Sequence, residues 1–458
     1  MARTPVLTSP AAVRLVRFAS RALPILLAAV PLLYLIWFAR TFYVDVPFWD
    51  QWELVPKLDK LAAGTLGVQD LWFQHNEHRP LFPVVLMLVL ARLSGWNIAW
   101  EIAANVIFGL GIFIVFARAL ETAPGGSPRW LLPFFAALIF SPAQWENWLW
   151  GWQISVLMGV CSALLGLYLT ATLARDRWRF VGALGCGVWS TFSFAAGLVY
   201  WPVGLSAILA GTRDGRVRRA AAWALVAALT IAAYFHGYVQ PAQPSLLSSF
   251  SSWDRFRTLL VYTASYLGAP VAAYSEPAAA VVGAAGALAF GLLVAGLWRS
   301  KPVPAVLFPM LVALQAVGIA SLSALGRAWV GSGQALAPRY MTVTAPFWCA
   351  LAAMAVLLVR TRPSAVGRRA RMAVVTVTLL AVLASSARTE YVGRPYAAAR
   401  SGYLRIARLG LIIGRSETLL AWLYPDPRIV RQRRAILRML HLSVFRDSSD
   451  SSIRPGVI

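Results

Sequence analysis

Residues 278–298 read AAAVVGAAGALAFGLLVAGLW, and residues 303–325 read VPAVLFPMLVALQAVGIASLSAL. Neither run carries a charge, and each has about the 20 residues that an α-helix needs to cross the ~30 Å hydrocarbon core of a bilayer. Backbone polar groups find no partner in hydrocarbon, so only helices and closed barrels span it. Barrel strands alternate apolar and polar residues over about ten positions. These runs are apolar throughout and predict helices.

The rest of the chain repeats the pattern. Of its 458 residues, 59% are apolar and 13% charged, against about 25% charged in soluble domains. Mean hydropathy is +0.65. The formal net charge of +24 would suggest nucleic acid in a soluble protein. Here the arginines gather in short clusters between apolar runs, the mark of cytoplasmic loops, so no nucleic-acid partner is expected. Cys161, Cys186 and Cys349 each fall inside an apolar run, which gives neither a disulfide framework nor a metal-ligand spacing. The run 23–38 follows Arg14, Arg17 and Arg21 as a signal sequence would. No small-residue cleavage site follows it, so it is expected to remain as the first helix.

The clusters Arg14/Arg17/Arg21, Arg118/Arg129, Arg175/Arg177/Arg179, Arg213/Arg216/Arg218/Arg219, Arg299/Lys301 and Arg360/Arg362/Arg368/Arg369/Arg371 mark one inside face. Neighbouring clusters bracket two crossings each, near 23–39, 98–117, 131–142, 154–173, 181–196, 198–212, 220–237, 278–298, 303–325, 342–359 and 372–387. The fold class is all-α, a polytopic transmembrane bundle of about eleven helices. Two further apolar stretches, 80–95 and 257–275, would break the alternation and are assigned to the outer surface as juxtamembrane helices. The outer loops are then 40–97, 143–153, 238–277 and 326–341. A membrane module over 1–387 is followed by a basic tail, 388–458, also outside. In that tail Ile429, Val430, Ile436, Leu437 and Leu440 oppose Arg431, Arg433, Arg434 and Arg438, a basic amphipathic helix suited to an anionic headgroup surface.

His75, His78, His236 and His441 all fall outside, with most of the acidic residues. The inside loops are short and basic, with no phosphate-binding loop and no room for a nucleotide domain, which argues against an ATP-driven pump. The first outer loop begins Phe42-Tyr43-Val44-Asp45-Val46-Pro47-Phe48-Trp49-Asp50-Gln51-Trp52-Glu53. It reads either as an interfacial aromatic belt or as a site. Leu54, Val55, Leu58, Leu61 and Ala62 share one helical face just after it, describing a helix on the membrane surface that fixes Asp50 at the boundary. The loop closes on Gln74-His75-Asn76-Glu77-His78-Arg79-Pro80. If helical, this stretch puts His75, His78 and Arg79 on one face, as donors to sugar hydroxyls or a phosphate. A metal held by His75 and His78 lacks an evident third ligand, so no cofactor is indicated.

The second outer loop sets Trp145, Trp148, Trp150 and Trp152 around Glu146, and aromatic faces stack on sugar rings as well as anchoring interfaces. The loop 326–341 offers Arg327, Arg339 and Tyr340 among glycines, where guanidinium forks suit phosphate oxygens or lipid headgroups. Gly182/Gly185 and Gly283/Gly286 read as close helix contacts.

Together these pieces resemble the GT-C superfamily of polyprenyl-phosphate-sugar-dependent glycosyltransferases, which includes protein O-mannosyltransferases and the lipid A aminoarabinose transferase. The resemblance is architectural and spans roughly residues 20 to 390. Asp50-Gln51-Trp52 is similar to the family's paired-acid motif after helix one, with glutamine at the second acid. The resemblance implies Asp50 as general base, with Asp45 as its rival, and Glu146 orienting the acceptor. Arg327, Arg339 and Arg79 would neutralise the leaving phosphate, while Trp49, Trp52, His75, Glu77, His78 and Tyr340 would bind substrate. The implied partners are a polyprenyl-phosphate-linked sugar, a lipid, glycan or protein acceptor, and membrane lipids. The place is the cytoplasmic membrane, with the site facing outside. A polymerase or ligase using a polyprenyl-pyrophosphate glycan would need similar residues. A transporter would need ionisable groups near the midplane and related halves, and no internal repeat is visible.

Overall fold

The computed structural model describes residues 10–123, 126–173, 176–211, 215–241, 252–297, 304–361, 365–414 and 416–446. The basic positions Arg175, Arg213, Arg299, Lys301 and Arg362 lie outside the described residues. The chain begins with α1 (Pro10–Phe42), the short α2 (Val55–Ala62) and α3 (Val68–Leu71), then α4 (Leu81–Ser94) and α5 (Ile98–Glu121). Next come α6 (Leu132–Ile139), α7 (Trp145–Leu149), α8 (Ile154–Ala171), α9 (Arg177–Thr191), α10 (Tyr200–Ala210) and α11 (Arg216–Phe235). Then follow α12 (Trp253–Ala272), α13 (Glu276–Leu297), α14 (Pro304–Arg327), α15 (Met341–Thr361), α16 (Ala365–Ile413), α17 (Glu417–Ala421) and α18 (Pro427–Met439). Among the described residues the only β pairing is an isolated bridge between His75 and His78.

Local chemistry sets several helix ends. The Asn97 side chain accepts from Ala99 N–H to start α5, and Asp176 accepts from Trp178 and Arg179 N–H to start α9. Gly95, at φ +63°, closes α4 in the left-handed conformation that glycine adopts without strain. Asp426 caps α18 with Pro427 at its first position.

The protein is a multi-pass helical membrane protein: the described residues include eight helices long and apolar enough to cross a bilayer, in α1, α5, α8, α11, α13, α14, α15 and α16. Each expected crossing coincides with a helix. However, α6, α9 and α10 have 8, 15 and 11 residues, and at 1.5 Å per residue none of them spans a core of about 30 Å.

Several expectations need correction. The stretch 257–275 is not a surface helix, because α12 buries Leu259, Tyr262 and the whole of Ser265–Val271. Its Gly268 lies so close to α13 that a Cβ there would sit 1.9 Å from Ala279 O, and one on Gly283 would sit 1.8 Å from Ala264 O. The close-packing reading therefore holds for Gly283, whereas Gly185 meets nothing within 4 Å. The boundary at 387/388 falls inside α16, a 49-residue helix that is about 74 Å long and so runs far past the bilayer. Beyond it, the tail folds back onto the first loop. Trp49 N–H donates to Leu423 O at 2.7 Å, Ser443 N–H donates to Gly95 O at 2.8 Å, and Arg433 pairs with Glu53 at 2.8 Å.

The basic helix α18 thus docks one face on protein. Arg433 binds Glu53, Arg434 donates to Leu411 O and Ile412 O, and Arg431 pairs with Glu417. On α2, Val55 and Leu58 are buried under this packing, so its apolar face does not rest on lipid.

Gly268→Ala and Gly283→Ala should each lower the melting temperature of the detergent-purified protein, since forced overpacking costs roughly 1–3 kcal/mol. Alanine is the better helix former by about 1 kcal/mol, so the loss must come from the contact. Gly291→Ala, which meets nothing within 4 Å, should melt like wild type or higher, and equal melting of all three would contradict the packing.

Candidate functional site

The C-terminal ends of α1, α9, α11 and α14 meet the N-terminal ends of α8, α10 and α15 around a cavity of about 1230 Å³. Alternating chain direction puts all these ends on one side of the bundle. The first loop supplies Phe48, Trp49 and Asp50, then His75, Asn76, Glu77 and His78. The second supplies Trp145, Glu146, Trp150 and Trp152, and the fourth Arg327, Arg339 and Tyr340. Nine of the expected site residues line this space: Trp49, Asp50, His75, Glu77, His78, Glu146, Arg327, Arg339 and Tyr340.

Two ion pairs join the loops. Arg327 Nη2 donates to Glu77 Oε2 at 2.8 Å while its Nη1 donates to the Tyr340 hydroxyl at 2.9 Å. Arg339 Nη1 donates to Glu146 Oε2 at 2.9 Å, with its guanidinium 5.2 Å from the Tyr340 ring centre. Asn147 reinforces the second junction, its amide donating to Arg339 O at 2.9 Å. Asp50 has no arginine partner among the described residues. His75 Nε2 comes within 3.3 Å of Asp50 Oδ1, off the line of a hydrogen bond, and its ring packs 5.0 Å from Trp152.

The stretch 75–79 is not helical. His75 N–H donates to His78 O at 2.8 Å and His78 N–H to His75 O at 2.9 Å, closing a two-residue turn in which Asn76 takes φ +50°. Asparagine tolerates that left-handed conformation better than most residues. The turn brings both imidazoles to the cavity, yet they engage different neighbours: His78 Nδ1 accepts from Ala195 N–H at 3.2 Å and its ring lies 4.8 Å from Phe194. Successive side chains of an extended strand point oppositely, so Arg79 turns away from the cavity. It donates to Tyr234 O and His236 O at 2.6 Å each and to Trp72 O at 3.2 Å. Arg79 is therefore a buried clamp and no longer a phosphate ligand. No group of three His, Cys, Asp or Glu side chains suited to a metal occurs among the described residues.

Two more expected residues lie elsewhere. Asp45 accepts from Ile98 N–H at 3.0 Å and from Arg446, which pins the tail to the start of α5 and removes it as rival base. Trp52 is fully buried, its indole donating to Pro47 O at 3.1 Å. Gln51 also points inward, accepting from Phe48 N–H at 3.2 Å and donating to the buried Glu101. The second position of the Asp-Gln-Trp motif thus faces away from the cavity.

The sequence reading missed Arg400 and Tyr403, which reach the cavity from α16 together with Trp422 from the segment after α17. A signal existed. Ala397, Leu404, Ala407 and Leu411 are buried at helical spacing, and Arg400 sits on that same stripe. No family model, curated protein or solved structure matches the chain.

Electrostatics separate the loop acids from His78. Burial opposes ionisation of Glu77, but the neighbouring Arg327 outweighs it and holds the carboxyl below its ordinary range. Glu53 behaves likewise under Arg433. Burial pushes His78 down from 6.5 to about 4, with Glu77 partly offsetting. Its imidazole therefore stays neutral at pH 7, with Nε2 carrying the proton while Nδ1 accepts.

Above pH 6.5 both folded and unfolded chains hold His78 neutral; below it only the unfolded chain binds the proton, so stability falls until pH reaches about 4. The loss amounts to at most ~3 kcal/mol. Melting temperature should decline over this window, and His78→Gln should flatten part of the decline. An identical slope in the variant would mean that folded His78 protonates freely.

Proposed function

We propose that the chain is a membrane-embedded glycosyltransferase that takes its sugar from a polyprenyl-phosphate carrier outside the cytoplasm. The observation that carries this reading is a carboxylate without an arginine partner, Asp50, facing an aromatic cavity that also holds three arginines. A cavity of about 1230 Å³ exceeds the roughly 300–1,000 Å³ of a single small-ligand pocket, leaving room for donor and acceptor together. In this reading the eight long helices cross the membrane, the shorter α6, α9 and α10 pack inside the bundle in register with them, and the architecture is GT-C-like, with the amino terminus inside.

In the transfer, an acceptor hydroxyl attacks the anomeric carbon as the bond from that carbon to the phosphate oxygen breaks. Asp50 takes the hydroxyl proton, and the lipid phosphate leaves with the bonding electrons. General-base assistance of this kind contributes about 10²–10⁴-fold. Cationic side chains in the cavity offset the charge that develops on the phosphate. Trp145, Trp150 and Trp152 offer faces for the apolar sides of a sugar ring. Glu146, held by Arg339, orients the acceptor.

Asp50→Asn should leave folding intact and cut transfer from a synthetic polyprenyl-phosphate sugar by about 10²-fold or more. Asp45→Asn should do the reverse, lowering the melting temperature through the lost Arg446 and Ile98 contacts while turnover per folded molecule persists. Wild-type turnover in Asp50→Asn would sink the base assignment.

A further inference from the structure

The cavity's charges do not pair off evenly. Arg327 is spent on Glu77 and Arg339 on Glu146. Arg400 has no carboxylate within ion-pair distance; Tyr403 hydrogen-bonds it and Glu146, already held by Arg339, acts on it only from further away. Arg400 is 5% exposed, and its Nη1 has no hydrogen-bond partner. Its guanidinium lies 4.4 Å from the centre of the Phe48 ring and 5.7 Å from that of Trp145. Both rings line the cavity, as does Tyr403 one turn further along α16. Ring faces offset part of a cation's desolvation but cannot accept its N–H donors in line. An apolar residue would fill this position on the buried stripe at far less cost.

We propose that Arg400 is the oxyanion-binding residue of this cavity, taking the phosphate of a phosphate-headed ligand, while Arg327 and Arg339 hold the loops in place. The planar fork matches two phosphate oxygens, and Phe48 and Trp145 wall the site against competing water. The inference rests on the transferase reading only for the ligand's origin, because a lipid phosphate and a free phosphate present the same oxygens.

The test uses the full chain in phosphatidylcholine nanodiscs, titrated by tryptophan fluorescence with geranylgeranyl phosphate, geranylgeraniol and inorganic phosphate. Wild type should bind the prenyl phosphate roughly 10- to 100-fold tighter than the prenol. Arg400→Gln should erase that advantage, and Arg400→Lys, which keeps the charge without the fork, should lose part of it. Without ligand, Arg400→Gln should melt at or above the wild-type temperature, since it removes a buried charge that has no ion-pair partner and whose desolvation Tyr403 and the more distant Glu146 offset only in part. Arg400-dependent binding of inorganic phosphate as tight as that of the prenyl phosphate also supports the subsite and makes free phosphate its source.

Failure of wild type to bind either phosphate ligand would overturn the proposal. So would an undiminished prenyl-phosphate advantage in Arg400→Gln or, if that variant does not fold, in Arg400→Lys. Arg400-dependent binding without any sugar transfer would leave this subsite standing and remove the transferase reading. Transfer at wild-type KM by Arg400→Gln would do the opposite.

Discussion

The cavity depends on two ion pairs that cross between loops far apart in sequence, Arg327 with Glu77 and Arg339 with Glu146. Each side chain is partly buried at the end of a helical bundle, where desolvation penalises a lone charge and pairing offsets that penalty. Removing one partner would leave the other charge stranded, so the pairs act as interlocks even if their net contribution to stability is small. They fix the turn at 75–78 against α14 and the tryptophan loop against the start of α15. Asp50, His75 and His78 keep their places because those loops do.

A second constraint is the length of α16. Its 49 residues carry it well beyond any bilayer core, and the segment that follows returns to cover the first loop. Trp49 takes a left-handed φ of +47°, an unfavourable conformation for a side chain of that size. The bond from its N–H to Leu423 O at 2.7 Å helps to hold it there. Arg433 and Arg434 of α18 and Arg446 are occupied by carboxylates and carbonyls of this interface. That part of the tail's positive charge is thereby tied to the protein itself.

The helices were legible in the sequence because membrane hydrophobicity is a property of long runs, and eight of them meet length and composition together. The loop acids and arginines were legible because polar residues are dense where the apolar runs stop. Side-chain direction was not legible. Arg79 and His78 are neighbours, and a two-residue turn sends one into the cavity and the other onto buried carbonyls, where a helix would have kept them on one face. Asp45 and Asp50 looked like rivals for the same reason: only the fold brings Arg446 to one of them. The alternation of basic clusters alone puts the stretch 257–275 on the outer surface, whereas α12 is buried through its close contact with α13 at Gly268 and Gly283, a pairing that a single sequence does not display.

The central proposal is that the cavity works on a sugar whose leaving group is a lipid phosphate. The most direct measurement supplies the purified, reconstituted chain with either a labelled polyprenyl-phosphate sugar or the corresponding soluble nucleotide sugar, and follows label into a membrane-extract acceptor. The account predicts transfer from the lipid donor and none from the nucleotide. Turnover of the nucleotide sugar, with the lipid donor inert, would contradict it.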